Sequence, residues 1–480
     1  MAAPRAVACS QHSNRQTEGL DLTDAFPTAA TVSRRGIAGW ILFDVSTQPV
    51  FTLVTTFVFA PFFAARLAAT PVEGQALWGF ATGAAGLSIA LLAPLLGAMA
   101  DASGRRKPWV AGFSLLTVTG CLMLWAAVPG GDHAVFIALA GFLMATIGAE
   151  FATVFTNAMM PSLVTPERLG RLSGYGWAAG YLGGLVSLAL VLGLLVADPA
   201  TGRTVAGLAP LFGLDPALGE GDRASGPLAA AWYLIFVLPL FLWTPDSPRR
   251  AAPAAAISNA LASLRDTVAS LPQHRSMALY LLAQMIYIDG VVALFAFGGI
   301  YAAGAFGWGT IEIGIFGILL TVTGAVGAAV GGLLDDRLGP KAVVLGALAA
   351  LLLASLGILA TTADRILFWV AVTPAEAGDG LFASTSEQVY IGLGLVIGAV
   401  AGPLQAASRT LLARLAPADR MTQFFGLYAL SGKVTSFLGP TLVGAMTIWT
   451  GSQRGGMTVL LVFFGLGAAL LAGVRVPRRP

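Results

Sequence analysis

Charge is scarce in this chain: only 11% of its 480 residues are Asp, Glu, Lys or Arg, where a soluble domain carries about 25%. That deficit excludes an ordinary water-soluble fold. Cysteine is nearly missing too. Cys9 in a polar tail and Cys121 inside an apolar run offer neither a disulfide framework nor a thiolate metal centre. The three histidines, His12, His133 and His274, are too scattered to form a ligand cluster. No Gly-x-x-x-x-Gly-Lys-Ser/Thr phosphate loop occurs, so ATP-driven work is not expected. Neither a Gly-x-Ser-x-Gly elbow nor a His-Glu-x-x-His helix supplies hydrolytic chemistry. The expectation is therefore no enzyme, no cofactor and no metal.

What the chain has instead is apolar length. It is 56% hydrophobic, with a mean hydropathy of +0.80. Runs long enough to cross a bilayer as helices recur along it, each about 20 residues. They are continuous rather than alternating, which argues against a membrane β-barrel. The 59 glycines suit helices that approach closely in lipid. Twelve spans are expected, at 37–63, 76–99, 109–128, 134–159, 173–197, 228–244, 277–302, 310–334, 342–362, 388–412, 423–448 and 455–474. The sixth is short and contains Pro239, and Ile366 to Val372 is apolar but too short to cross. The outer segments 198–227 and 363–387 read as solvated loops.

Basic residues orient these spans. With the N-terminus inside, the outer loops hold only Arg66, Arg203, Arg223, Arg365 and Arg454, and Lys433 lies within a span. The other 21 of the 27 Lys and Arg then fall on the cytoplasmic side, Arg409 among them. Topology thus accounts for the pI near 9.0, and no nucleic-acid partner is expected. The reading is an all-α protein of twelve transmembrane helices in two pseudo-symmetric six-helix halves, at 36–244 and 277–475. A polar tail (1–35), a linker (245–276) with a short amphipathic stretch from Ile257 to Leu271, and a tail (476–480) lie in the cytoplasm. A monomer in the cell (inner) membrane is expected.

The case for two halves rests on a repeat. Gly97, Asp101 and Gly104 in one polar turn map, at one constant offset, onto Gly332, Asp336 and Gly339 in another. Glycine permits the tight turn, and each aspartate can cap a helix or pair with a neighbouring arginine, Arg105 or Arg106 in the first copy. Such turns after spans two and eight, in two six-span halves, resemble the major facilitator superfamily. Further segments narrow the likeness: Asn157 to Pro161, Glu167 to Gly184, Gln405 to Arg409, Phe424 to Lys433, Gly439-Pro440, and Tyr287-Ile288-Asp289-Gly290. Together they look like the vacuole-effluxer family, the autophagy-related amino-acid exporters and their bacterial relatives. In span one that family favours Tyr-Asp-Trp-Ala-Asn, where this chain has Phe43-Asp44-Val45-Ser46-Thr47-Gln48. The resemblance implies a small polar solute such as an amino acid, moved outward by alternating access, with Asp101, Arg105, Arg106, Asp336 and Arg409 at the gate.

Four ionisable residues lie well inside spans: Asp44, Glu150, Asp289 and Lys433. Each costs roughly 2.5–3.5 kcal/mol at the bilayer centre, so each must face a cavity or a partner. Three acids against one base leave excess negative charge unless a proton or an amine neutralises one, which suits proton coupling. Superfamily geometry brings spans one, seven and eleven together, so Lys433 is expected to pair with Asp44 or Asp289. Gln48 and Tyr287 are further candidate solute contacts, with Thr47, Asn157, Gln284 and Gln405 as additional polar groups. Gly176, Gly180 and Gly184 share one face of span five, and Gly327 and Gly331 one face of span eight; such small faces suit a sliding seam between the halves and ordinary tight packing equally. One alternative is a drug or sugar exporter, since Thr244-Pro245-Asp246-Ser247-Pro248-Arg249 resembles a sugar-porter motif. A non-transporting membrane receptor or assembly factor is another, though it has little use for charges at membrane depth.

Overall fold

Lipid offers no hydrogen bonds to a peptide group, so a chain this apolar satisfies its backbone by becoming helix. The computed structural model describes residues 32–199, 201–248, 274–308, 310–375 and 380–476, with 262, 265–267 and 269 between them. The first tail, most of the linker with its amphipathic stretch, and the last residues lie outside that description. Among the described residues, eleven helices are long and apolar enough to span. They are α1 (Arg34–Leu67), α2 (Glu73–Ser103), α3 (Lys107–Ala126), α4 (Ala134–Ser162), α5 (Pro166–Leu194) and α6 (Glu220–Trp243). The others are α7 (Arg275–Phe306), α8 (Glu312–Leu338), α9 (Pro340–Leu359), α10 (Thr385–Leu415) and α12 (Gln453–Ala472). The remaining span, α11, comes in two pieces, Met421–Lys433 and Leu438–Thr450. Neither piece alone is long enough to cross, but together they do.

Helix ends follow from local chemistry. The motif glycines Gly104 and Gly339 have φ of 84° and 86°, a region that side chains disfavour, and they terminate α2 and divide α8 from α9. Ser384 and Glu387 form a reciprocal capping box that opens α10. In α1, Pro49 cannot donate to the preceding turn, and the helix widens to π geometry over Val50–Phe57 before breaking at Val58. The Thr55 and Thr56 hydroxyls donate to the carbonyls of Val50 and Phe51 at 3.0 and 2.9 Å, holding the widened turn.

Two differences from the expected loops stand out. The acidic turn Glu220–Asp222 starts α6 earlier than its apolar run suggests, so the end of segment 198–227 is helix despite Pro227. Ile366 to Val372 lies in a hairpin, β1 (Arg365–Ile366) antiparallel to β2 (Val370–Ala371).

Within the first half α1 packs on α5 and α6, and α4 on α2 and α3; in the second, α10 packs on α8 and α9, and α12 on α7 and α9. The halves meet along α5–α8 and along α2 with the first piece of α11. The second piece of α11 packs on α7 and α12 of its own half. The two polar turns share one face of the bundle with both described chain ends, hereafter the turn face. There Thr244 Oγ1 donates to the Gly36 carbonyl at 2.8 Å, and Lys341 Nζ to those of Ala472 and Val474 at 2.8 and 2.7 Å.

The α5–α8 seam is built from glycines, though not those of the two ladders. A Cβ on Gly174 would lie 2.7 Å from the Gly332 Cα, and one on Gly332 would lie 2.6 Å from the Gly170 carbonyl oxygen. Gly180 and Gly184 face Gln48 and Thr52 of α1, while Gly327 and Gly331 face Ala399 and Pro403 of α10. Two residues turn a helix by about 200°, so Gly174 and Gly176 point opposite ways. Gly180, Gly184, Gly327 and Gly331 therefore serve tight packing within each half, the second of the two readings, while Gly176 lies against both Asp44 and Arg409.

Candidate functional site

Cross-half contacts of charged side chains fall into three layers stacked upward from the turn face. In the first, Asp101 accepts the Gln423 backbone N–H at 2.8 Å and pairs with Arg106 at 3.3 Å. Arg106 Nε donates to Thr422 Oγ1 at 2.9 Å. The repeat partner Asp336 accepts the Arg171 backbone N–H at 3.1 Å and its Nε at 3.2 Å. Each aspartate thus sits at the N-terminal turn of a helix from the opposite half, where the backbone dipole favours an anion. Arg414 of α10 adds bonds to Asp335 at 3.4 Å and to the Pro166 carbonyl at 3.2 Å. Arg105 is exposed; the ion pair goes to Arg106 alone. Asp246 accepts the backbone N–H of Arg106 at 2.9 Å, and Ser247 Oγ accepts from its guanidinium at 3.0 Å. The sugar-porter-like segment therefore serves the turn-face network and says nothing of a solute.

The second layer is Arg409. Sequence placed it among the basic residues of an inside loop, but it lies about 9 Å up α10 from the helix end and is 4% exposed. Its guanidinium reaches Asp44 Oδ2 at 3.2 and 3.3 Å, Asn157 Oδ1 at 2.9 Å, and Ser173 Oγ and carbonyl at 2.9 and 2.8 Å. It also lies 4.9 Å from the Trp40 ring centre. Every one of these partners belongs to the first half. The Asp44 carboxylate occupies the space a Cβ on Gly176 would need, which explains that glycine.

The third layer corrects the expected pairing of Lys433. Its Nζ donates to Glu150 Oε1 at 2.7 Å, and Asp44 is taken by Arg409. Lys433 ends the first piece of α11, where the helix carbonyls favour a cation. Glu150 lies about 18 Å above the turn-face end of α4, near the middle of the span. The two side chains are 35% and 20% exposed, whereas those of Arg409 and Asp44 are 5% and 13%. The open pair is thus the one at mid-membrane.

Asp289 of α7 faces the break in α11. On one side of it Ser431 bonds Gln284, and on the other Gly439 lies against the Asp289 backbone. Tyr287 is buried, its hydroxyl 2.6 Å from Ser408 Oγ, so it fastens α7 to α10. Gln48 is half-buried against Gly180 and Gly184. Gln405 donates to Tyr181 Oη across the halves at 3.3 Å. Trp40 was missed in sequence. Its indole N–H donates to the Thr156 carbonyl at 2.8 Å, a contact that needs the α1–α4 packing to be seen.

Comparison with known proteins agrees with this architecture. Residues 75–479 match the family described as vacuole effluxer Atg22-like. An uncharacterised MFS-type transporter of Bacillus subtilis, YxiO, is 24% identical over 438 residues, covering 91% of this chain and 94% of its own. Autophagy-related protein 22-1 of Sclerotinia sclerotiorum is 26% identical over 261 residues, 52% of this chain and 42% of that one. The chain thus matches under half the length of that fungal relative. Among solved structures, FucP, a major facilitator superfamily transporter in the outward conformation, superposes with a TM-score of 0.68. It shares 13% identity and is matched over 92% of this chain and 98% of its own. This protein, a multi-pass membrane chain with the major facilitator fold, belongs to the Atg22-like vacuole effluxer family of transporters.

Proposed function

We propose that the protein is a secondary active transporter that exports a small zwitterionic solute, an amino acid, by alternating access coupled to protons. The observation that carries this reading is the Glu150–Lys433 pair. It joins the halves at mid-membrane, is open to a fifth and a third, and presents one negative and one positive group side by side. An amino acid offers the matching set, its ammonium to Glu150 and its carboxylate to Lys433. Exchanging an internal ion pair for two such contacts leaves no charge uncompensated, which keeps entry of a charged head group inexpensive. Gln48 is placed to touch the remainder of the solute; Asp44 and Tyr287 act one layer away, through Arg409 and Ser408. The lysine and arginine distribution supports a cytoplasmic turn face with both termini inside; to this we add a cell membrane and a monomer.

In this structure the turn face is closed by the Asp101, Asp336 and Arg409 contacts. Transport requires their rupture as the halves rock. Reconstituted full-length protein should move members of an amino-acid panel, with rates that respond to an imposed proton gradient. Flux of sugars or drugs without any amino acid overturns the assignment. In the same vesicles Asp101→Ala removes a charge-assisted bond of about 1.5–3 kcal/mol from the closed face only. It is expected to change turnover more than KM; an effect confined to KM would place Asp101 at the solute.

A further inference from the structure

The ion pairs at membrane depth leave one acid over. Asp44 is held by Arg409 and Glu150 by Lys433. Asp289 is 2% exposed, and its Oδ1 has no hydrogen-bond partner among the described residues. The elements packed against it supply no spare cation. From α10 come Arg409, committed to the first half, and Ser408, which bonds Tyr287 and Tyr280. From α11 come Lys433, committed to Glu150, and Tyr428, stacked on Tyr280. From α12 come Phe463 and Phe464, beside Gly290. An isolated carboxylate is not tolerated in such a place; it binds a cation or becomes neutral.

The second observation is the break in α11. Residues 434–437 form a tight turn between the two pieces, closed by the Ser436 N–H on the Lys433 carbonyl and the Leu438 N–H on the Thr435 carbonyl, and the buried Thr435 hydroxyl faces Asp289. Helix interruptions near the midplane are where transporters seat coupling ions. Among the described residues Asp289 is the one acid at this break, with only the neutral hydroxyls of Thr435 and Ser436 beside it and Ser436 Oγ already bonded to the Lys433 carbonyl, a set that suits a proton better than a metal ion. The geometry points to Asp289 as the seat of the coupling proton, one per cycle, at the α7–α11 break. This rests on the transport reading above and adds the residue and the ion. Loss of the proton would put a negative charge beside the segment that carries Lys433. Proton release and solute release then compete for the same lysine, which links the two without direct contact between proton and solute.

Two measurements on the full-length protein test this. In vesicles carrying a pH gradient, wild type accumulates a labelled amino-acid mixture. Asp289→Asn, fixed in the neutral form, is expected to lose at least tenfold of that accumulation, while label exchange, which needs no net proton movement, persists at a reduced rate. Gradient-driven accumulation at the wild-type level in the variant overturns the proposal. So does loss of exchange together with accumulation, which makes Asp289 a solute or packing residue, and so does accumulation driven by sodium in place of protons. Infrared titration needs no solute, so it survives a wrong substrate assignment. The wild type should show a protonated-carboxyl stretch that disappears at alkaline pH and is missing in Asp289→Asn. The same band in both proteins overturns the assignment whatever the vesicles transport.

Discussion

Glu150→Gln and Lys433→Met are each expected to lower flux of the proposed amino-acid solute by roughly 30-fold or more, since truncating one partner of a bonded charge pair costs about 2–5 kcal/mol and each 1.4 kcal/mol is tenfold. Two effects contribute, and they are separable. Each single substitution strands a charge where lipid and protein surround it, which destabilises the fold. Each also removes one of the two groups that would receive the solute. The double variant Glu150→Gln with Lys433→Met carries no stranded charge, so its thermal stability in detergent should recover towards wild type. Its flux should not recover. Recovery of both would mean that Glu150 and Lys433 only tie α4 to α11, and the zwitterion reading would fall with it. Loss of flux in one single variant alone would instead indicate a solute with one charge.

Much of this architecture was legible from the amino acids. Continuous apolar runs can only be spans, and the offset between Asp101 and Asp336 requires a duplicated half. The turn glycines Gly104 and Gly339 take the conformation that such turns demand. Partner choice was not legible, because it depends on the rotation of each helix about its own axis. Lys433 was matched to the right region and the wrong carboxylate. Span order places α1, α4, α7 and α11 around the middle, but only the phase of α11 turns Lys433 towards Glu150. The same ignorance of phase left the glycine ladders open between a seam and internal packing. The break in α11 did leave a trace. Pro440 has no N–H to return to the Ser436 carbonyl, and Gly432 and Gly439 flank the turn between the two pieces. Arg409 was misplaced for a different reason. Charge counting assigns a basic residue near a helix end to the loop, whereas a long side chain facing inward meets Asp44, Asn157 and Ser173 instead.

Arg409 also carries the second large effect. Arg409→Met leaves Asp44 deep in the protein without its cation, at a cost of about 3–5 kcal/mol. That cost falls on the closed turn face, because Arg409 is the one charged side chain that the second half brings to this layer among the described residues, beside the neutral Ser173 hydroxyl bond to the Ala406 carbonyl. The population of the opened turn face should rise on the order of 100-fold or more. A cysteine in place of the buried Ala413, in a background lacking Cys9, reports it: an impermeant maleimide applied to the turn face should label Arg409→Met far faster than the parent. Adding Asp44→Asn removes the stranded charge and should return most of the protection. Arg409→Lys should not, since an ammonium is a point donor and cannot span Asp44, Asn157 and both Ser173 acceptors at once. Unchanged labelling in Arg409→Met would show that the Asp101 and Asp336 contacts close the face by themselves. Full protection in Arg409→Lys would show that charge alone, and not the planar fork, holds α10 against α1, α4 and α5.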